Sequence, residues 1–270
     1  MAASTRRSVF LIALAALTVW VWGLALILGV WRWNSVLRVG PPGRAIFPYG
    51  ELRVVIDPAN PPFAFPDGAS FAGIEPELAQ AIGARLGVPV RLIPHGFDGL
   101  YDAVRADQAD MALAALVINP ARTRDVHYSP PYFNAGMVLV TNGDTPPASA
   151  DEGLSGRVAL AYGSDEQTEA ERWLRRVEPF TILPYETRDA ALDALRLGDA
   201  EAALVDTITA GRYRAAHPDW PSSALEVTVV PYAAALRPDR PALAAAVERA
   251  MGELMADGTL NAIISRYLRE

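Results

Sequence analysis

Between Glu51 and Glu270 the apolar positions follow two alternating rhythms. Short, mostly apolar runs such as LRVVI (Leu52–Ile56) predict strands. Glu75 to Leu86 keeps a different period: Ile74, Leu78, Ile82 and Leu86 recur at helical spacing, and Gly87 supplies the stop. VRLIP predicts a strand, Gly99–Arg105 a helix and Met111–Ala115 a strand. The alternation resumes with a strand at Val158–Ala161, a helix near Glu166–Val177 and a strand at Phe180–Pro184. A helix over Thr187–Leu197, a strand at Ala202–Val205 and a helix from Thr207 onward follow. Strands alternating with helices predict an α/β fold with mainly parallel sheets.

The N-terminal segment breaks this rhythm. Ser8 to Trp31 carries no charge. As a helix it would span roughly 36 Å, more than the ~30 Å hydrocarbon core of a bilayer. The apolar run exceeds the ~7–15 residues usual in a cleaved signal peptide, and no small-residue cleavage site follows Trp31. We therefore expect one transmembrane helix, an uncleaved anchor, within residues 1–33, with a cleaved signal as the alternative. Residues 34–50, rich in Gly and Pro, read as a linker.

Composition narrows the function classes. With no cysteine, disulfides, thiolate metal sites and a lipid-bearing cysteine are all excluded. His95, His127 and His217 are far apart in sequence, and no metal cluster, phosphate loop or G-x-S-x-G elbow is present, so neither metal nor cofactor is expected. All the basic residues are Arg; five precede Glu51 without an acid, and the remainder of the chain is acidic. A body of that sign is unsuited to nucleic acid. Arg32, Arg38 and Arg44 follow the apolar segment, and on their own would hold the body inside the membrane under the positive-inside rule.

A gapless internal repeat points to a site. DGLYDAVRADQADMAL, from Asp98, aligns with DAALDALRLGDAEAAL, from Asp189. Asp102 pairs with Asp193, Arg105 with Arg196, Asp110 with Glu201 and Leu113 with Leu204. Shared helix–turn–strand grammar in an Ala-rich chain is one explanation; two lobes of one design is the other. Ligands in open α/β sheets sit beyond the carboxyl ends of strands. The repeat puts Asp206 and Ala115 at equivalent strand ends, with Arg122 close behind Ala115. A guanidinium matches a carboxylate bidentately and a carboxylate accepts from an ammonium, so one of each facing a shared cleft would hold the head of an α-amino acid. Taken singly, Arg122 also fits a surface charge, Asp206 and Ser164 fit helix caps, Asp57 fits a turn cap before Pro58, and Phe97 fits core packing.

Four segments in order resemble the periplasmic solute-binding proteins that serve ABC importers of polar amino acids. They are LRVVIDPANPPFAFPDG, GIEPELAQAIGARLGV, FDGLYDAVRADQADMALAALVINPARTRDVHYSPPYF and MADGTLNAIISRYL, and the resemblance covers nearly all of Glu51–Glu270. It implies a two-lobed periplasmic-binding-protein fold (type II), with lobe 1 over 51–138 and 228–270 and lobe 2 over 139–227, closing over a ligand. It implies that Arg122 clamps the ligand carboxylate, that Asp206 takes the ammonium, and that Ser164 assists the carboxylate near a helix N-terminus. Asp57 and Phe97 fall where side-chain-reading residues stand, Asn60 falls where a residue covers the ligand, and Val117 falls where a hydroxyl residue is common. Asn60 replaces a usual aromatic, and Ala114, Ala115 and Val117 make the pocket less polar than the family pattern.

The function these features imply is extracytoplasmic capture of an amino acid or similar small zwitterion. The partners implied are an ABC permease or another membrane complex, with the body in the periplasm and the N-terminal helix in the cytoplasmic membrane. An anchored accessory or sensory subunit with altered or lost ligand binding is the alternative. A dehydratase-like enzyme on the same fold is a further one, for which Glu166 or Asp206 would be the acid.

Overall fold

The computed structural model describes residues 46–176 and 180–268. The expected membrane span, Ser8–Trp31, lies outside the described residues; among those described, no helix is long and apolar enough to cross a membrane. The chain divides into residues 1–50 and a compact second unit, Glu51–Glu270, which contains both sheets.

The first half of that unit runs β1 (Leu52–Ile56), the small hairpin β2 (Phe65–Asp67) and β3 (Ser70–Ala72), then α1 (Ile74–Leu86) and β4 (Val90–Pro94). It continues through α2 (Leu100–Arg105), β5 (Met111–Leu113), β6 (His127–Tyr128) and β7 (Phe133–Asn134). The second half holds β8 (Met137–Asn142), α3 (Ala150–Gly153), β9 (Arg157–Ala161), α4 (Asp165–Trp173), β10 (Thr181–Tyr185) and α5 (Arg188–Leu197). Then come β11 (Ala202–Asp206), α6 (Thr207–Ala216) and β12 (Ser222–Glu226). The chain closes with β13 (Pro231–Tyr232), β14 (Ala235–Leu236), α7 (Pro241–Ala256) and α8 (Thr259–Tyr267).

These strands form two five-stranded sheets of the same design. One has the order β4-β1-β5-β14-β6, the other β10-β9-β11-β8-β12. In each, a central strand pairs in parallel with two neighbours: β1 with β4 and β5, β9 with β10 and β11. In each, the fourth strand is antiparallel: β14 against β5, β8 against β11. The sheets are thus less uniformly parallel than the alternation predicts, and the reason lies in the crossings. β8 enters the second sheet directly after the chain leaves the first, and β14 joins the first directly after it returns. Neither is preceded by a crossover helix, so each lies antiparallel to its neighbours.

The fold is α/β and two-lobed. Between the sheets, β7 and β13 make a short antiparallel ribbon, pairing Phe133 with Tyr232 and Asn134 with Pro231. Asn134 Oδ1 accepts from Gly136 N at 3.0 Å and Val230 N at 2.8 Å, fastening one crossing segment to the other. The two chains approach closely here: a Cβ on Gly136 would lie 1.9 Å from the Thr228 carbonyl oxygen, so only glycine fits.

Each sheet buries its own apolar layer. Val55, Leu100, Val104, Ala112 and Leu116 pack under α2 in the first. Val140, Ala159, Leu192, Leu195 and Ala203 pack under α5 in the second. Both main helices stop as the sequence predicts: Gly87 (φ 69°) ends α1 and Gly198 (φ 86°) ends α5, each in the left-handed region.

Candidate functional site

The carboxyl ends of the parallel strands in both sheets are tied to the hinge ribbon. On the first side, the loop after β5 runs beside β13: Ala233 N donates to Leu116 O at 3.0 Å, Ile118 N to Pro231 O at 3.2 Å, and Val117 bridges Tyr232. On the second side, Thr207, just after β11, donates through N (3.0 Å) and Oγ1 (2.7 Å) to Gly136 O. Val117 and Asp206, more than eighty residues apart in the chain, therefore flank one ribbon. This is the strand-end crevice where open α/β sheets bind ligands.

The loop after β5 is shaped from below by Glu75, which is fully buried in the first turn of α1. Its Oε1 accepts from Ala115 N and from the Tyr132 hydroxyl, both at 2.5 Å, while Oε2 has no partner among the described residues. Meeting Glu75 takes Ala115 into the left-handed region (φ 50°), unusual for a residue with a Cβ. That is why the strand ends at Leu113 and not at the predicted Ala115. Burial pushes the Glu75 carboxyl up to about 7, against the two donors that pull it down, and the nearby charge of Asp57 adds to the rise.

Arg122 ends a single 3-10 turn, Pro120–Arg122, whose first residue is capped by Asn119 Oδ1 accepting from Ala121 N at 2.9 Å. Its guanidinium carbon lies 4.4 Å from the centroid of the Tyr101 ring, a cation–π contact. Among the described residues Arg122 has no carboxylate partner, so its five donors remain available. Phe97, four residues before Tyr101, is 53 % exposed, and Val117 is 45 % exposed. Apolar side chains that open at strand-end positions suit a ligand-facing wall better than core. Asp57 closes a turn through Ala59 N at 3.1 Å. Asn60 pairs through its backbone with Ala64, with N–H···O distances of 3.2 and 3.0 Å, which leaves its side chain outside that pairing.

On the second side Ser164 and Asp206 begin adjacent helices. Ser164 Oγ accepts from Gln167 N at 3.2 Å and donates to Ala161 O at 2.7 Å, so its hydroxyl is spent on capping α4. Asp206 caps α6: Oδ1 accepts from Thr209 N at 2.8 Å and Oδ2 from Thr209 Oγ1 at 2.6 Å. A third residue joins these two ends. Arg188, the first residue of α5, makes a two-pronged contact with the buried Glu166 carboxylate at 2.8 and 3.1 Å, and its Nε lies 3.0 Å from Asp206 Oδ2. Glu166 and Arg188 neutralise one another, so the trio keeps one net negative charge, on Asp206. Arg188, Ser164 and Thr209 line a cavity of about 460 Å³ that opens beside Tyr162, itself 75 % exposed.

The residues expected from sequence thus fall into two groups: Asp57, Asn60, Phe97, Val117 and Arg122 in the first half of the unit, Ser164 and Asp206 in the second. Among the described residues no ion pair joins Arg122 to Asp206. Sequence reasoning assigned no role to Arg188, Glu75 or Tyr232. A signal for Arg188 existed: extended by one residue, the internal repeat pairs it with Phe97.

Known proteins bear on this architecture. The family model described as bacterial extracellular solute-binding proteins, family 3, matches residues 52–270. An L-cystine-binding protein of Escherichia coli (strain K12) is 29 % identical over 227 residues, covering 81 % of this chain and 82 % of that protein. A membrane-bound lytic murein transglycosylase F of Yersinia pestis (strain Pestoides F) is 28 % identical over 267 residues, which are 95 % of this chain and only 54 % of that protein. Among solved structures, the L-cystine solute receptor of Neisseria gonorrhoeae in its unliganded open conformation shares the fold. Its TM-score is 0.67 at 21 % identity, covering 85 % of this chain and 97 % of that one.

Proposed function

Because the chain belongs to the bacterial extracellular solute-binding proteins, family 3, we propose that it captures an amino acid outside the cytoplasm and delivers it to an ABC permease. The lobes are 51–138 with 228–270, and 139–227, closing about the β7–β13 ribbon in the hinge motion of two-lobed binders. Arg122 takes the ligand carboxylate. Asp206 takes the ammonium, held in position by Arg188. Phe97, Val117, Asp57 and Asn60 meet the ligand side chain, and Ser164 contributes through the N-terminus of α4. Residues 1–33 anchor the protein in the membrane, with the body in the periplasm.

The observation that carries this reading is the exposed guanidinium of Arg122, held over Tyr101 without a carboxylate partner among the described residues, close in the chain to the end of β5. The relative named for L-cystine supports the ligand class. Binding without catalysis is the simpler assignment: Glu166 and Asp206, the two acids an enzyme reading would draw on, both contact Arg188, and Glu166 is buried.

One observation favours a second reading, an accessory or sensory subunit with altered ligand binding: Asp206 already contacts an internal cation. A thermal-shift screen of the full chain against the twenty common L-amino acids and L-cystine separates the two. Stabilisation by at least one of them supports capture; silence across the panel supports the accessory subunit. Topology has its own check: protease added to spheroplasts digests a periplasmic body and spares a cytoplasmic one.

A further inference from the structure

Parts of the first lobe that are distant in sequence converge on one buried carboxyl. Glu75 Oε1 accepts from Ala115 N and from the Tyr132 hydroxyl, both at 2.5 Å. The two donors also meet each other, Ala115 N lying 3.1 Å from the Tyr132 hydroxyl oxygen. Acid, amide and phenol thus close a small network away from solvent, where a lost hydrogen bond is not replaced by water.

Each member belongs to a different part of the site. Glu75 stands in the first turn of α1. Ala115 opens the loop that leads to Val117 and Arg122. Tyr132 precedes β7, and its backbone N donates to Tyr232 O on the hinge ribbon at 2.9 Å. The same ribbon fastens the loop at Leu116, which accepts from Ala233 N, and at Ile118, which donates to Pro231 O.

Ala115 is the weak point of this loop. It has a Cβ and sits at φ 50°. Such a residue persists only where its surroundings over-determine it, and residues of this kind cluster at ligand clamps. A buried carboxyl is itself costly, and among the described residues Glu75 neutralises no cation. What it does hold is the turn.

We propose that Glu75 is a positioning residue for ligand binding: with Tyr132 it keeps Ala115 in its left-handed turn and so presents Val117 and Arg122 along one path, on the reading that the crevice takes an amino acid. Glu75 acts through the loop and touches no ligand. A loop already in its bound shape loses no affinity to ordering when the ligand arrives.

Hydrogen exchange and calorimetry on the full chain test this. The variants are Glu75→Leu, which fills similar space without an acceptor, and Glu75→Gln, which keeps one acceptor oxygen. A third combines Glu75→Leu with Ala115→Gly, because glycine enters the left-handed region freely. The probes are the twenty common L-amino acids and L-cystine. In Glu75→Leu the Ile118 amide should exchange roughly tenfold faster than in wild type while the amides of β9 keep their rates. Affinity for the bound amino acid should also fall roughly tenfold. Glu75→Gln should stay within about threefold of wild type. The double variant should bind more tightly than Glu75→Leu alone; a merely structural role predicts the reverse, since Ala115→Gly adds freedom to the unfolded chain. Unchanged Ile118 exchange or unchanged affinity in Glu75→Leu overturns the proposal, as does a double variant that binds no better than the single one. If Glu75→Leu does not fold, Tyr132→Phe takes its place: faster exchange at Ile118 supports the proposal and an unchanged rate overturns it. If wild type binds no member of the panel, the amino-acid reading fails and the ligand role of Glu75 fails with it. If wild type binds and Glu75→Leu binds equally well, this inference fails alone.

Discussion

Arg53 and Arg157 occupy the same place in the two sheets, one residue before the position of β1 or β9 that pairs with the start of the neighbouring strand, yet they live in different media. Each is locked by a carboxylate immediately before the neighbouring strand: Arg53 by Asp110 and Arg157 by Glu201. In both, the carboxylate accepts from the arginine's backbone N–H (2.9 and 2.6 Å) as well as from its guanidinium. The first pair is buried, with side chains 5 % and 1 % exposed; the second is 48 % and 49 % exposed. The first also recruits Arg240 onto Asp110 at 2.6 Å. One motif, copied into two sheets, therefore carries different stakes. In water the lock is a minor tether; in the interior, removing either half takes from the other a desolvated partner that water does not replace.

The buried carboxylates of the two helix starts repeat the lesson. Glu75 and Glu166 sit in the first turns of α1 and α4, both essentially without solvent. Glu166 has Arg188 as counter-ion. Glu75 has only an N–H and a phenol, and so holds its proton up to about pH 7. One lobe neutralises its buried acid with a cation, the other with a proton.

The largest predicted effect breaks the first comparison. Asp110→Ala should cost about 3–5 kcal/mol in denaturant unfolding, because it removes the buried carboxylate that Arg53 and Arg240 share. Glu201→Ala, the matching change in water, should cost at most about 1 kcal/mol. Equal losses would mean that burial does not distinguish the two locks.

The second comparison is sharpened by pH. Glu75 is protonated in the folded state up to about pH 7, and in the unfolded chain it titrates near 4.5. Between those values the folded state holds the extra proton, so the Glu75 contribution to stability is full below 4.5 and is lost as pH rises through 7. The change is roughly 3 kcal/mol across that window. Glu75→Gln cannot release a proton, and its unfolding free energy should lack this fall relative to wild type. Arg188→Met removes the counter-ion of the buried Glu166, and the variant should be less stable than wild type in denaturant unfolding. Parallel pH profiles for wild type and Glu75→Gln would show that the carboxyl is already ionised when buried.

The alternation of strands and helices was legible because it is local. Caps at Thr187 and Gly198 and the helix face of Ile74, Leu78 and Ile82 follow from spacing alone. The internal repeat was legible too: its pairing of Asp110 with Glu201 is the shared lock, and its pairing of Asp102–Arg105 with Asp193–Arg196 recurs as ion pairs at 4.0 and 3.1 Å. What escaped depended on partners distant in sequence. Ala115 left the strand because Glu75, forty residues earlier, takes its N–H. MVLVTN, which falls outside the predicted alternation, is strand β8 because β11 and β12 stand on either side of it. Tyr232 gave no periodic signal; its place on the ribbon is set by Phe133 and Val117.

The central claim is that Arg122 is held at a strand end to grip a carboxylate. Titration calorimetry of an L-amino acid into wild type, Arg122→Ala and the nearby exposed variant Arg124→Ala tests it most directly. Loss of one partner of a desolvated charge pair costs about 2–5 kcal/mol of binding, a fall of roughly 30- to several-thousand-fold in affinity. Arg122→Ala should show that loss with its fold intact, and Arg124→Ala should bind as wild type does. If the two variants bind alike, Arg122 is an ordinary surface charge and the crevice grips its ligand by other means.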